Sequence, residues 1–240
     1  MDTIKINKGN TKMVAHRGVS GLELENTCAA FIAAGNRSYF GIETDVHKTV
    51  DGKHIIIHDD NTGRVGVETL PVEESTYEQL RALQLKQKDG AVRVDLHLPA
   101  LSEYLSICKH YEKVAVLELK NPMEADLVKD IVEQCEALYG IEGIIFISFD
   151  YQNLLYVKAV APNANTQFLL GKEEVTQELM EKMVADKIDF DVYHGVLTKE
   201  LLDELHAKGI VVNCWTVDDP QRAEELAAWG VDYITSNILE

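Results

Sequence analysis

The sequence lacks most of the features that would make its chemistry easy to name. Its four cysteines, Cys28, Cys108, Cys135 and Cys214, are scattered, with no CxxC pair and no zinc-like spacing. Cys28 and Cys135 fall in helical patterns and Cys214 in an apolar strand, which reads as free thiols in a reducing compartment. No run of eighteen apolar residues exists, which excludes a hydrophobic membrane span. The first residues, MDTIKINKGN, lack the apolar run of a secretory leader, so the expected location is cytoplasmic. Positive charge is scarce: 23 Lys and Arg face 40 Asp and Glu, for a formal net charge of -17. Nucleic acid and anionic membranes both require a cationic face and are therefore excluded as partners. No G-x-G-x-x-G follows the first strand and no P-loop occurs, so nucleotide binding has no motif behind it.

What is present is a regular rhythm. At 240 residues and 46% hydrophobic content, the chain fits one large domain, read as residues 1–240. Strands are expected from Met13, Ile42, Val114, Ile144, Thr166, Ile188, Val211 and Asp232, separated by amphipathic helical patterns. Those helices are expected over Cys28–Gly35, Leu101–Tyr111, Met123–Tyr139, Tyr151–Val160, Gln177–Asp186, Lys199–Lys208 and Pro220–Trp229. Apolar runs alternating with helices imply parallel strands and right-handed crossovers. Eight of them favour a closed (β/α)8 TIM barrel over an open doubly wound sheet. Residues from about 60 to 98 are polar, contain glycine and carry one short helix around Thr76–Leu83. They are too long for an ordinary connection and read as a small insertion following the strand 2 hairpin.

The chain is organised around Gly41 to Asp59, GIETDVHKTVDGKHIIIHD, a strand, a turn and a returning strand. With Asp51-Gly52 as a two-residue turn, Val50 faces Lys53 and the ladder places Asp45 opposite His58. Glu43, Asp45 and His47 then share one face, and His58 joins them. Two carboxylates and an imidazole concentrated beside Ile55, Ile56 and Ile57 carry a solvation cost that packing does not require.

Other polar residues fall at strand ends, the rim where barrels place their chemistry: His16, Arg17, Glu118, Lys120, Ser148, Phe149, His194 and Trp215. Glu43, Asp45 and Glu118 offer only hard oxygen donors, which select magnesium, calcium or manganese over zinc or copper. The competing structural reading of Glu118 is an ion-pair partner for Lys120, two residues on along the same face. His16 and His58 lie on different strands and suit a paired general base and acid near neutral pH. Arg17 offers a fork of donors for a phosphoryl group, and Lys120 a point charge. Phe149 and Trp215 either contact the carbon part of a substrate or close the barrel core. Together these groups fit displacement at phosphorus.

Read in order, the motifs resemble the glycerophosphodiester phosphodiesterase family across nearly the whole chain. The matching pieces are HRG at His16–Gly18, ENT at Glu25–Thr27, E-x-D at Glu43–Asp45 and HD at His58–Asp59. LPALSEYL at Leu98–Leu105, ELK at Glu118–Lys120, SF at Ser148–Phe149 and WTV at Trp215–Val217 complete the set. The resemblance implies a (β/α)8 barrel with an insertion after the HD strand, and hydrolysis of a small-molecule glycerophosphodiester to sn-glycerol 3-phosphate and an alcohol. It implies one divalent cation, Mg2+ or Ca2+, on Glu43, Asp45 and Glu118, with His16 as base and His58 as acid. Arg17 and Lys120 would bind phosphate, and the glycerol 2-hydroxyl would attack first to give a cyclic phosphate that water opens. The departures are Leu24 where the family carries Pro, and Asp60–Val65, of which Arg64 alone corresponds to the family pattern. Thr235-Ser236 replaces Thr-Asp and leaves the last strand end catalytically silent. A lysophospholipid-cleaving lyase-like relative and a non-catalytic barrel are the alternatives.

Overall fold

The computed structural model describes residues 2–87 and 89–240; Met1 and Lys88, both inside the expected domain, lie outside the described residues. Eight strands form the parallel barrel: β1 (Lys12–Ala15), β2 (Gly41–Lys48), β6 (Val114–Leu119), β7 (Ile144–Ser148), β8 (Asn165–Leu170), β9 (Asp189–Tyr193), β10 (Val212–Trp215) and β11 (Tyr233–Ser236). Their spatial order is β1-β11-β10-β9-β8-β7-β6-β2, and β1 also pairs with β2, which closes the sheet. Closure rests on Val14 beside Gly41 on one side and Lys12 to Ala15 beside Tyr233 to Ser236 on the other.

Seven helices carry the crossovers: α1 (Cys28–Gly35), α3 (Leu101–His110), α4 (Ala125–Leu138), α5 (Tyr151–Val160), α6 (Gln177–Asp186), α7 (Lys199–Ala207) and α8 (Pro220–Trp229). Local chemistry explains their bounds. Asp150, Thr176, Thr198 and Asp219 cap the starts of α5, α6, α7 and α8 through side-chain oxygens that accept free backbone N–H groups. Pro220 opens α8, where its missing donor costs nothing, and Gly230 ends that helix at positive φ. The main core lies between strands and helices, while Val14, Val116, Ile145, Ile147 and Leu169 form a second cluster. Strand side chains alternate faces, so this smaller set fills the barrel interior.

Between β2 and α3 the chain leaves the barrel. It forms β3 (His54–Ile56), antiparallel to β2, then α2 (Tyr77–Ala82) and a hairpin of β4 (Leu85–Lys86) with β5 (Val92–Arg93). This insertion has its own apolar cluster, built on Ile55, Ile57, Val65, Val72, Leu80 and Leu85. Helix α2 begins with a capping box in which Thr76 and Gln79 satisfy each other's backbone donors.

The register of the β2–β3 hairpin differs from the expectation. Thr49 N donates to Lys53 O at 2.8 Å and Gly52 N to Thr49 O at 2.9 Å, so Val50, Asp51 and Gly52 form a three-residue connection with Gly52 at φ +70°. Val46 pairs with Ile56 and His47 with Ile55. Asp45 therefore stands opposite Ile57, whose N–H it accepts at 3.1 Å, and not opposite His58. One residue more in the turn shifts the ladder by one. His58 lies beyond the last paired residue, which frees its side chain from the alternation of the strand.

Candidate active site

The site begins with a register. Asp45 on β2 is adjacent to Glu118 on β6, and Glu43 precedes Asp45 by two residues on the same face. The three carboxylates offer oxygens within 4.8 Å of one another, and all three residues are buried. Lys120 Nζ lies 2.8 Å from Glu118 and 3.6 Å from Asp45. Arg17 Nε lies 3.6 Å from Asp45, and the Arg17 N–H donates to Glu43 at 2.7 Å.

Two cations thus face three acids, and the imbalance is visible in their acidity. Burial, with the Asp45 charge added, holds the Glu43 carboxyl well above the usual carboxylate range. Glu118 is pushed up to about 8 by burial and then by Asp45. Burial acts in the same direction on Asp45, but Arg17 and then Lys120 outweigh it, so Asp45 stays ionised. Asp45 Oδ1 is buried and finds no hydrogen-bond partner among the described residues. An ionised oxygen that accepts no hydrogen bond and lies between two further acids belongs to a donor set that a hard divalent cation fits. A further interior acid, Asp191, is fully buried, and burial followed by the Glu118 charge pushes its carboxyl well above the usual carboxylate range.

The β1–α1 loop carries His16 and Arg17 into position. Arg17, Gly18 and Asn26 all have positive φ, and a Cβ on Gly18 would meet the Ala30 carbonyl carbon at 2.6 Å. Gly18 is therefore required both by conformation and by the close approach of the loop to α1. Asn26 Nδ2 donates to Asp45 Oδ2 at 2.7 Å while its Oδ1 accepts from Thr44. Arg17 Nη1 donates to Glu25 at 2.7 Å.

His16 Nε2 is 4.0 Å from Glu43. Its Nδ1 is 2.7 Å from Asn237 Oδ1, and Asn237 is oriented in turn by donating from Nδ2 to Asp218 at 2.5 Å. With Nδ1 donating to that amide oxygen, the His16 Nε2 lone pair is left bare. Burial, reinforced by the Arg17 charge, lowers His16 to about 4. His58 is also lowered by burial, but the Asp45 carboxylate opposes the shift, and Asp59 accepts from its Nδ1 at 2.7 Å. The carbonyl of His58 lies 3.3 Å from Nε2 of the buried His47.

Every residue expected in the catalytic and cation-binding set therefore converges here, although His47 sits behind His58 and outside the carboxylate cluster. Phe149 and Trp215 meet edge to face at 5.6 Å, Phe149 half exposed and Trp215 anchored by its N–H on the Asp191 carbonyl. His194 lies apart, its ring against Tyr193 and its carbonyl accepting from Arg222. Ser20, Asp218 and Asn237 carry no motif signal: Ser20 Oγ donates to Asn237 Oδ1 at 2.6 Å, and Asn237, directly after β11, brings a contact to His16 from the last strand end. No spacing signal links Asn237 to His16, 221 residues away. A cleft of about 420 Å³ lies over His16, Arg17, Glu25, Asp218 and Asn237.

A closed parallel barrel with acids, imidazoles and cations at its C-terminal rim defines a (β/α)8 enzyme built for an anionic substrate. The chain belongs to the Glycerophosphoryl diester phosphodiesterase family, which matches residues 16–239. A glycerophosphodiester phosphodiesterase of Bacillus altitudinis is 28% identical over 232 residues, 93% of each chain. One from Caldanaerobacter subterraneus subsp. tengcongensis is 28% identical over 234 residues, covering 95% of this chain and 94% of the relative. Among solved structures, an Oleispira antarctica phosphodiesterase in complex with the product sn-glycerol-3-phosphate superposes with a TM-score of 0.83. It is 22% identical, over 98% of this chain and 96% of that one.

Proposed function

We propose that this protein hydrolyses glycerophosphodiesters to sn-glycerol 3-phosphate and an alcohol, as a single cytoplasmic domain, with a divalent cation held by Glu43, Asp45 and Glu118. The carrying observation is the buried carboxylate triad, in which Asp45 Oδ1 accepts no hydrogen bond among the described residues, flanked by two imidazoles that follow different strands. Family membership and the product bound in the Oleispira relative support the substrate class. When bound, the cation supplies Lewis-acid stabilisation of charge on the non-bridging phosphoryl oxygens.

The remaining work falls to the chain itself. His16, neutral and bare at Nε2, accepts the proton of the attacking hydroxyl. His58, as an imidazolium held at Nδ1 by Asp59, gives its Nε2 proton to the departing alkoxide, and the two roles reverse when water opens the cyclic phosphate. Arg17 and Lys120 bind the phosphoryl group; their present partners, Glu25, Asp45 and Glu118, hold both heads at the rim before substrate arrives. Phe149 and Trp215 present an apolar wall to the glycerol carbons.

The test is release of glycerol 3-phosphate from glycerophosphocholine, glycerophosphoethanolamine and glycerophosphoglycerol, with magnesium, with calcium and with excess EDTA. Metal-dependent release by wild type, lost in His16→Ala, is the expected outcome. A lysophospholipid belongs in the same panel, because Val92 and Val94 of the insertion are exposed apolar groups. Turnover of that lipid without any release from the three diesters would replace the proposal.

A further inference from the structure

Arg64 stands in the insertion, outside the barrel, with nearly half of its side chain exposed. Its guanidinium nevertheless grips two carboxylates at once. Nε and Nη2 donate to Asp59 Oδ2 and Oδ1 at 2.8 and 2.9 Å. Nη2 also donates to Glu25 Oε1 at 2.9 Å, and Nη1 donates to Glu25 Oε2. Each carboxylate has a second occupation. Asp59 Oδ1 accepts Nδ1 of His58 at 2.7 Å, and Glu25 Oε1 accepts Nη1 of Arg17 at 2.7 Å. Charged hydrogen bonds therefore run without a break from His58 through Asp59, Arg64 and Glu25 to Arg17.

We infer that Arg64 is a positioning residue for this reaction, setting His58 and Arg17 in a common geometry without touching the substrate itself. The inference rests on the proposed activity for the meaning of that geometry. The reason for arginine is its donor fork. Five N–H groups in one plane can serve two carboxylates simultaneously, and four of the five are used here. A lysine ammonium can reach both carboxylates only as a point charge and cannot set their planes. Without the fork, Asp59 loses the contact that fixes its rotamer, and the partly exposed His58 ring loses its orientation. Glu25, released from Arg64, would follow Arg17 into other rotamers. The arrangement also makes catalysis depend on docking of the insertion, since Arg64 joins it to both Glu25 and Asp59.

The experiment compares wild type with Arg64→Ala, Arg64→Lys and Arg64→Gln in the full chain, measuring kcat, KM and Tm. In parallel, the His58 Nδ1 proton is followed by NMR and assigned by its loss in His58→Gln. Partners that orient metal ligands cost ~10–100-fold in function when removed, and a partner that orients a catalytic imidazole is expected to act on the same scale. Arg64→Ala is expected to lower kcat by about that factor, with a smaller change in KM and Tm. Low millimolar guanidinium is expected to restore part of kcat in Arg64→Ala and not to raise it in wild type. Arg64→Lys should recover less than added guanidinium does, and the His58 Nδ1 signal should broaden or vanish in both variants. Wild-type kcat and an intact His58 signal in Arg64→Ala would overturn the inference. So would a fall in kcat that tracks Tm and resists rescue, which is what a plain structural staple gives. Should wild type hydrolyse no glycerophosphodiester, the activity reading fails, and the NMR comparison alone decides whether Arg64 orders His58.

Discussion

Asn237 Oδ1 accepts the Nδ1 proton of His16 at 2.7 Å, and the amide that makes this contact is itself held by Asp218. A chain position directly after the last strand therefore sets the tautomer of a histidine directly after the first. Asn237→Ala should leave the His16 ring free to rotate and exchange tautomers, lowering kcat by ~10–100-fold with little change in Tm. Steady-state kinetics with a thermal melt check this; unchanged kcat would remove Asn237 from the site.

The pH profile follows from the same ring. His16 is lowered to about 4 by burial and the Arg17 charge, so its folded value lies below its ordinary one. The base form then persists as pH falls, and activity through His16 is lost only near the folded value. The acidic limb of kcat/KM should lie well below the ordinary histidine value of about 6.5. With the cation saturating at every pH, a limb at 6.5 or above would exclude His16 as the base. Asn237→Asp, which places a carboxylate on Nδ1, should move the limb upward.

Metal binding should depend on pH with a definite sign. Glu118 is pushed up to about 8, and Glu43 lies well above its usual range. Protons therefore compete with the cation at pH 6 and much less at pH 8. At a cation concentration of 100 times Kd the stabilisation is about 2.7 kcal/mol, which corresponds to a Tm rise of roughly 5–10 °C for a chain of this size. The rise should be larger at pH 8 than at pH 6 and absent in Asp45→Asn. Melting curves with Mg2+, Ca2+ or EDTA at both pH values test this.

Away from the site, Asp189 is raised to about 6, first by burial and then by the nearby Asp232 charge. Its folded pKa exceeds its unfolded one, so the folded state holds the proton more tightly. Stability is therefore lost as pH rises from about 4 through 6, and the ionised group is a burden at pH 7. Asp189→Asn keeps an acceptor for the Val211 N–H, which Asp189 Oδ1 takes at 2.8 Å. The variant should gain on the order of 1–2 kcal/mol at pH 7 and nothing at pH 4. Urea unfolding at the two pH values measures the difference.

Gly18→Ala should disable the β1–α1 loop. The backbone is at φ +73°, and the added methyl would lie 2.6 Å from the Ala30 carbonyl carbon. A cost of about 2 kcal/mol or more is expected. Because His16 and Arg17 immediately precede it, kcat should fall along with Tm. An active Gly18→Ala enzyme of normal stability would show that the loop has room to adjust.

Much of this architecture was legible because it is local. Tyr151–Val160, Gln177–Asp186 and Pro220–Trp229 occupy the spans their periodicity predicts, since caps at Asp150, Thr176 and Asp219 stop the helices where the pattern stops. Glu43 and Asp45 were legible as a pair, because residues two apart on a strand share a face. The partner of Asp45 was not. Asp51-Gly52 reads as a two-residue turn, whereas Thr49 closes a three-residue one, a choice of a single hydrogen bond that composition does not reveal.

The sequence by itself determined the elements and the chemical inventory: apolar periods of two and 3.6, capping residues, hard-oxygen acids, two imidazoles and two cations. Those properties act over a few residues and need no partner from afar. Tertiary structure decided which of these groups meet. Closure of β1 onto β11 brings Asn237 to His16, the β2–β6 register brings Asp45 to Glu118, and the docked insertion brings Arg64 to Glu25 and Asp59. Such contacts join residues tens to hundreds of positions apart, and only the packing of the whole barrel makes them neighbours.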